Sequence, residues 1–146
     1  MPTAISADPT TVANRLRPAL LRLNRELRRE LHSLGVTGGQ VSLLIKVQRE
    51  PGIGIRELAR WERMSTPGMS KYVARLEAAG LVRRTELEDR RRVGLALTPE
   101  GSRVLSSVKR RRTAWLAERL RGLAPAELDA VDAAVEPLLK LLDVGP

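Results

Sequence analysis

The side chains that most enzymes use for catalysis are scarce in this chain of 146 residues. It contains no cysteine, and His32 is its only histidine. The sequence therefore offers no thiol nucleophile, no thiolate metal site, no disulfide and no plausible serine–histidine pair or histidine cluster. It also has no glycine-rich phosphate loop. We expect a protein that is not an enzyme and that uses no metal or cofactor.

An excess of basic residues is the most prominent remaining chemical feature of the chain. The chain has 26 basic and 17 acidic residues, and residues 51–117 carry 15 of the basic residues but 7 of the acidic ones. Residues 118–146 carry 3 basic and 6 acidic residues, so the sign of the charge reverses at this end. This distribution indicates an anionic partner for one region of the chain. A solvated arginine-rich surface is the alternative that charge alone leaves open.

One predicted helix in the basic region has an apolar face and a face of small and basic residues. We predict that Thr66 is its N-cap, that Pro67 occupies the first helical position and that Gly80 ends it. At about 100° per residue, the buried face consists of Met69, Tyr72, Val73 and Leu76.

The opposite face of this helix is suited to a DNA groove. Its small residues allow a close approach, Lys71 can reach a guanine edge or a phosphate, and the Ser70 hydroxyl forms hydrogen bonds without discrimination. The residues that we expect to bind DNA from this helix are Pro67, Gly68, Ser70, Lys71 and Arg75. Candidates for phosphate contacts are Arg56, Arg60, Arg75, Arg83 and Arg84.

The elements that precede this helix are typical of a helix-turn-helix. Apolar residues repeat at helical spacing over residues 12–34, and Pro18 predicts either a kink or a helix start nearby. Thr37 and Gln40 form a predicted capping box for a second helix, which stops at Pro51. A short strand and a third helix of about two turns then lead to the helix that begins near Thr66.

After Gly80 the spacing of the apolar residues changes from a helical period to a period of two. Residues 81–85 and 93–97 are predicted to form two strands of a hairpin. Thr98 and Pro99 begin a fifth helix, and Pro125 begins a last one that Pro137 bends. The predicted fold class is therefore mainly α with a small β-hairpin, in the order of a helix-turn-helix followed by two strands.

The tip of the predicted hairpin is polar and mostly basic. Three consecutive arginines have no packing role at a hairpin tip, whereas a narrow minor groove attracts them. We expect Arg91 to enter the minor groove with its guanidinium oriented by Asp89, while Arg90 points to the other side of the strand or to phosphates. Asp89, Arg90 and Arg91 complete the set of residues expected to bind DNA.

Four stretches of the chain carry motifs at a characteristic spacing. They are Ile55-Arg-Glu-Leu-Ala59, the run from Ser65 to Val82, Glu88-Asp-Arg-Arg91 and Leu97-Thr-Pro-Glu-Gly101. Together they resemble the multiple-antibiotic-resistance regulator (MarR) family of bacterial winged-helix transcription factors, without gaps from Leu58 to Gly101. The most specific part is the Asp-x-Arg of the wing followed by Leu-Thr-x-x-Gly.

The resemblance implies a winged helix-turn-helix domain joined to a helical dimerisation domain. It further implies a two-fold homodimer that binds a pseudo-palindromic operator on double-stranded DNA, usually as a repressor that a small-molecule effector, here of unknown identity, releases. The chain departs from the family at Glu62 and Arg63, where Leu and Gly are common. Because Glu62 faces the core on a helical wheel, we expect the helix to fray there and the carboxylate to reach water or an arginine.

The resulting domain organisation has three parts. We predict a disordered tail at residues 1–10, a winged helix-turn-helix region at 37–101, and a helical dimerisation region formed by residues 11–36 and 102–146. The apolar stripes at the two chain ends also favour a homodimer, because one small winged helix-turn-helix region cannot cover both stripes. Since the sequence has no apolar run of 18 residues and no secretion signal, we expect a cytoplasmic protein without a membrane partner.

A second class of function remains open from the sequence. A non-specific architectural protein that binds DNA or RNA would also be small and basic. Measured specificity separates the two, because a specific regulator prefers its own site by roughly 10³–10⁷.

Overall fold

The computed structural model describes residues 6–86 and 93–143. One compact unit ends at Arg111 and a second begins at Arg112. In chain order the elements are α1 (Pro9–Arg29), a 3-10 turn (His32–Leu34), α2 (Gly38–Arg49), β1 (Ile53–Gly54), α3 (Ile55–Glu62), α4 (Thr66–Ala78), β2 (Val82–Glu86), β3 (Val93–Leu97), α5 (Pro99–Arg121) and α6 (Pro125–Lys140). Within the described ranges, no helix has both the length and the apolar character needed to cross a membrane.

Helix α1 begins inside the segment that the sequence predicted as a tail. The Asp8 carboxylate accepts hydrogen bonds from the Thr11 N–H, at 3.0 Å, and from the Thr11 hydroxyl, at 2.9 Å. These bonds cap the helix, and they hold the pKa of Asp8 below its usual value. The helix continues through Pro18, so a start near this proline is ruled out. No residue of α1 is buried.

Helix α2 has the predicted capping box at its first turn. The Thr37 N–H donates to Gln40 Oε1 at 2.9 Å, and the Gln40 N–H donates to Thr37 Oγ1 at 3.1 Å. Two otherwise unpaired amides are thereby satisfied, which fixes where the helix starts. The prediction of this box and of a helix ending before Pro51 is confirmed.

The core lies between α2, α3, α4 and the sheet. Residues that are almost fully buried come from every one of these elements, so the winged helix-turn-helix region has one continuous apolar core. They include Leu43, Leu44, Leu58, Met69, Val73, Leu76 and Leu95.

Three antiparallel strands form the sheet, in the order β1-β3-β2. Ile53 lies opposite Leu95 on one side of β3, and Arg84 lies opposite Leu95 on the other. An added Cβ atom at Gly94 would lie 2.5 Å from the Gly52 carbonyl oxygen, so this position excludes a side chain. The two predicted hairpin strands are confirmed, although β2 starts at Val82 rather than at residue 81.

Candidate nucleic-acid interface

Helix α4 is capped one residue earlier than its sequence predicted. Ser65 has an extended backbone, and its hydroxyl accepts a hydrogen bond from the Gly68 N–H at 3.1 Å. The helix therefore begins at Thr66, Pro67 takes the second helical position, and the prediction of Thr66 as N-cap is wrong. Gly68 has a structural role here, because an added Cβ would lie 2.9 Å from the Ser65 hydroxyl oxygen.

The two faces of α4 differ as the sequence predicted. Met69, Val73 and Leu76 are buried, and Tyr72 is half-buried beside them. Ser70 and Gly68 are half-buried as well. The residues on the exposed face are Thr66, Pro67, Lys71, Ala74, Arg75 and Ala78. This face carries the Thr66 hydroxyl and the cations Lys71 and Arg75. Its other residues are small, so the helix can lie close to the floor of a DNA groove.

Arg63 forms the turn between α3 and α4 in a conformation that favours glycine. Its φ of 56° and ψ of 42° place it in the left-handed region, and it is the one non-glycine residue with positive φ in the described part of the chain. The Met64 N–H donates to the Ala59 carbonyl oxygen at 2.9 Å, which closes the end of α3. The turn thus keeps a left-handed geometry although arginine occupies its position.

Glu62 is satisfied by a partner that the sequence analysis did not foresee. Its carboxylate is half-buried and accepts a hydrogen bond from the Ser42 hydroxyl of α2 at 3.2 Å. The donor that the structure gives this carboxylate is thus a serine hydroxyl and not an arginine. A carboxylate on the core side of a helix needs a donor, and a half-buried serine on the neighbouring helix was the available signal.

A second contact joins the same two helices one turn further along α2. Lys46 Nζ lies 5.1 Å from the centre of the Trp61 ring and pairs with Glu50 at 2.5 Å. Since Ser42 and Lys46 are one helical turn apart, α2 holds the last two residues of α3 side by side. These contacts fix the end of α3, from which the turn leads directly into α4.

Exposed arginines surround α4 on neighbouring elements. Arg56 and Arg60 are exposed one turn apart on α3, and Arg83 and Arg84 are exposed on β2. Arg84 Nε forms an ion pair with Glu77 of α4 at 3.1 Å, which ties β2 to α4 and occupies part of this guanidinium.

The Leu-Thr-x-x-Gly motif attaches the start of α5 to the end of α4. The Thr98 hydroxyl donates to the Gly80 carbonyl oxygen and accepts from the Gly101 N–H at 3.0 Å. The Thr98 N–H donates to the Leu81 carbonyl oxygen at 3.1 Å. A Cβ at Gly101 would lie 2.1 Å from that same oxygen, so the motif has a physical requirement for glycine.

The hairpin tip lies outside the described residues, and Asp89, Arg90 and Arg91 with it. Over the ranges that the structure does describe, no group of three or more histidine, cysteine, aspartate or glutamate residues is arranged to hold a metal ion.

Comparison with known proteins identifies the class to which this fold belongs. A family model described as MarR family matches residues 36–93. A curated HTH-type transcriptional regulator of Mycobacterium bovis, itself uncharacterised, is 33% identical over 92% of this chain and 95% of its own length.

Solved structures agree on the fold. A MarR family protein from Bacillus stearothermophilus has a TM-score of 0.78 at 23% identity, over 94% of this chain and 99% of that one. A mutant of MepR from Staphylococcus aureus, solved bound to an oligodeoxyribonucleotide, has a TM-score of 0.68 at 19% identity, over 90% and 97% of the two chains.

The elements from α2 to β3 form a winged helix-turn-helix, which is a DNA-binding fold. The chain belongs to the MarR family, and it is therefore a transcriptional regulator and not an enzyme.

Proposed function

We propose that this regulator binds a pseudo-palindromic operator on double-stranded DNA as a homodimer. In this proposal α4 enters the major groove, and the wing reaches the adjacent minor groove. The exposed face of α4 is the observation that carries it, because the small residues Pro67, Ala74 and Ala78 accompany the cations Lys71 and Arg75 there. A neighbour of the same fold, the Staphylococcus aureus MepR mutant, was solved with bound DNA, which supports the assignment.

The arginines around α4 support a second part of the proposal, contact with the DNA backbone. Arg56, Arg60 and Arg83 are exposed on the elements next to α4. Arginine binds phosphate without reading sequence, so these side chains would set the register of the helix in the groove. Base readout would then come from Lys71, Ser70 and Arg75.

The homodimer is supported by helices whose apolar residues have no cover in one chain. Neither α1 nor α6 contains a buried residue. Apolar helix faces left uncovered on a small protein are typical of a subunit interface. Two copies related by a two-fold axis would place their recognition helices about 34–36 Å apart, which is one turn of DNA.

Selection of bound duplexes from random or genomic DNA tests the operator proposal. The selected duplex then competes with a scrambled duplex of the same composition at physiological salt. We expect a preference of roughly 10³–10⁷ for the selected duplex. Equal affinity for both duplexes would instead favour the non-specific architectural function.

Lys71→Ala tests the recognition helix with a matched control. We expect a loss of about 1–3 kcal/mol in operator binding, because the exposed ammonium would contact a base or a phosphate. Lys140→Ala removes the same charge from α6 and should leave operator binding unchanged. Equal effects of the two substitutions would show that Lys71 contributes to DNA binding only through the net charge of the protein.

The wing requires its own variants. Arg91→Ala should weaken operator binding by about 1–3 kcal/mol and leave the melting temperature nearly unchanged. Asp89→Ala should produce a smaller loss although it raises the net charge by one, because an orienting carboxylate is removed. Tighter binding by Asp89→Ala would refute the orienting role.

We further propose that the protein represses transcription and that a small-molecule effector releases it. The support is its membership of the MarR family. A reporter gene placed behind the selected duplex measures the sign of regulation. Removal of the regulator should raise reporter expression, and a fall would show activation.

A further inference from the structure

One side of α2 contacts both α4 and the end of α3. Gly39, Ser42 and Lys46 follow one another at spacings of three and four residues, so they lie along one side of the helix. An added Cβ atom at Gly39 would lie 2.7 Å from the Tyr72 hydroxyl oxygen, which places the first turn of α2 against α4. Further along, Ser42 and Lys46 hold the last two residues of α3. This side of α2 therefore supports both helices of the helix-turn-helix.

The connection from α3 to α4 is short and hydrogen-bonded. Its three residues are Arg63, Met64 and Ser65. The Arg63 and Met64 N–H groups donate back into α3, and the Ser65 carbonyl and hydroxyl oxygens accept from the first turn of α4. The left-handed conformation of Arg63 persists only where the surrounding contacts determine it. A change in the direction of the end of α3 is therefore passed to the start of α4.

The other end of α4 is attached separately. The Glu77 carboxylate pairs with Arg84 of β2 at 3.1 Å, and the Gly80 carbonyl oxygen accepts from the Thr98 hydroxyl. With this end held, a shift at the end of α3 would swing the first turns of α4, which carry Lys71. The 13 residues of α4 span about 20 Å. A tilt of about 5° would thus move its start by about 1.7 Å.

Contacts to bases and contacts to phosphates tolerate such a shift differently. Base readout requires side chains that are held within about 0.5 Å of the productive position. The long arginine side chains on α3 and β2 can follow a phosphate over a larger distance, because phosphate contacts need no particular base edge. A small rotation of α4 would therefore weaken base readout more than it weakens binding to the DNA backbone.

We propose that Glu62 is a positioning residue for base readout, and that its hydrogen bond to Ser42 sets the tilt of α4. Loss of this bond lowers the preference for the operator more than it lowers the affinity for DNA in general. The inference rests on the proposed operator binding and adds a residue outside the exposed face of α4. Glu62 is half-buried and bonded to α2, so it acts through the placement of α4.

Two substitutions of Glu62 separate its hydrogen bond from its charge. Glu62→Gln retains a side-chain oxygen that can accept from the Ser42 hydroxyl, whereas Glu62→Met offers only a weak sulfur acceptor. Both substitutions remove one negative charge. Glutamine and methionine are also unbranched and have similar helix propensities. A difference between the two variants therefore reports the hydrogen bond.

Affinities for the selected operator duplex and for its scrambled counterpart are measured at physiological salt and at a temperature where each variant is folded. Glu62→Gln should keep the ratio of the two affinities within about twofold of the wild type. Glu62→Met should lower the operator affinity about tenfold, within the range for loss of one base contact. Its affinity for the scrambled duplex should change by less than about twofold.

Ser42→Ala removes the same hydrogen bond from the side of α2. Alanine favours the helix, so α2 should keep its structure. This variant should also lose about tenfold in operator affinity. The double variant Ser42→Ala with Glu62→Met should lose no more than either single variant, because the two substitutions remove one shared bond. Losses that multiply would show that the two side chains act independently, which would overturn the inference.

A matched control removes the same charge elsewhere on α3. Glu57 is exposed, and Glu57→Gln should bind both duplexes like the wild type. Circular dichroism and the melting temperature report whether each variant is folded. A purely structural role of Glu62 would reduce the folded fraction and lower both affinities together, so the ratio of the affinities would not change. That result would count against positioning.

Two further results would overturn the inference. One is an equal affinity ratio for folded Glu62→Met and Glu62→Gln. If Glu62→Met does not fold, Ser42→Ala decides by the same ratio, measured against the wild type. The other is a wild type without preference for the selected duplex, which would overturn the operator proposal itself and the positioning role with it.

Discussion

Replacing Arg63 by glycine should stabilise the protein, because this arginine occupies a conformation that costs an ordinary residue free energy. Its φ of 56° and ψ of 42° lie in the left-handed region, where the Cβ atom approaches the following carbonyl oxygen. Glycine has no Cβ and adopts this conformation freely. The turn that leads into α4 would therefore keep its geometry and lose its strain.

The size of the effect follows from two opposing contributions. A non-glycine residue in the left-handed region costs about 1–2 kcal/mol. Glycine also gains freedom in the unfolded chain, which opposes the stabilisation by about 0.4–1 kcal/mol. The net gain for Arg63→Gly is about 0.5–1 kcal/mol. For a chain of this length, the melting temperature should rise by about 1–4 °C.

Urea denaturation at a fixed protomer concentration measures this gain, since the stability of the proposed homodimer would depend on concentration. Arg63→Ala is the matched control, because it removes the same charge and retains the Cβ atom. It should remain within about 0.5 kcal/mol of the wild type. If Arg63→Gly is no more stable than Arg63→Ala, the left-handed arginine is not strained and the reasoning fails.

Three further predictions concern the winged helix-turn-helix region and its binding of DNA. Gly101→Ala should lower the free energy of unfolding by at least about 1–3 kcal/mol, because its Cβ would meet the Leu81 carbonyl oxygen at 2.1 Å. Gly122→Ala, which meets nothing closer than 3.4 Å, should stay within about 0.5 kcal/mol in the same urea titration. Ser42→Ala and Glu62→Ala should each destabilise the protein, and a double-mutant cycle should show coupling of about 0.5–3 kcal/mol between them. Simple additivity would mean that their hydrogen bond contributes nothing. If about eight phosphates are contacted by the dimer, log K for operator binding should fall with log salt at a slope near −7. A slope shallower than about −3 would show that the basic middle of the chain does not face DNA.

The features that the sequence predicted correctly depend on residues close together along the chain. The capping box at Thr37 and Gln40 spans four residues, and the apolar stripe of α4 repeats every three or four. Gly80 was predicted to end that helix, and its φ of 75° agrees. Such signals depend little on tertiary context, because the helix itself brings the atoms involved together.

The N-cap of α4 shows where local signals are not sufficient. Ser65 and Thr66 are both good capping residues, and they are adjacent. Which of the two caps the helix depends on the backbone angles that the α3–α4 turn imposes. That turn is set by Arg63 and by packing between two helices, so the choice was not readable from residue types.

The sequence by itself determined the class of protein, the face of α4 that meets solvent and the basic character of the region around it. It also produced the expectations for Asp89, Arg90 and Arg91, which stay predictions. Only the tertiary structure decided that Ser42 satisfies Glu62, twenty residues away, and that the Leu81 carbonyl oxygen excludes a side chain at Gly101. The physical reason is that periodicity and capping act within one or two helical turns. Hydrogen bonds and steric exclusion between separate elements depend on positions that only the folded chain defines.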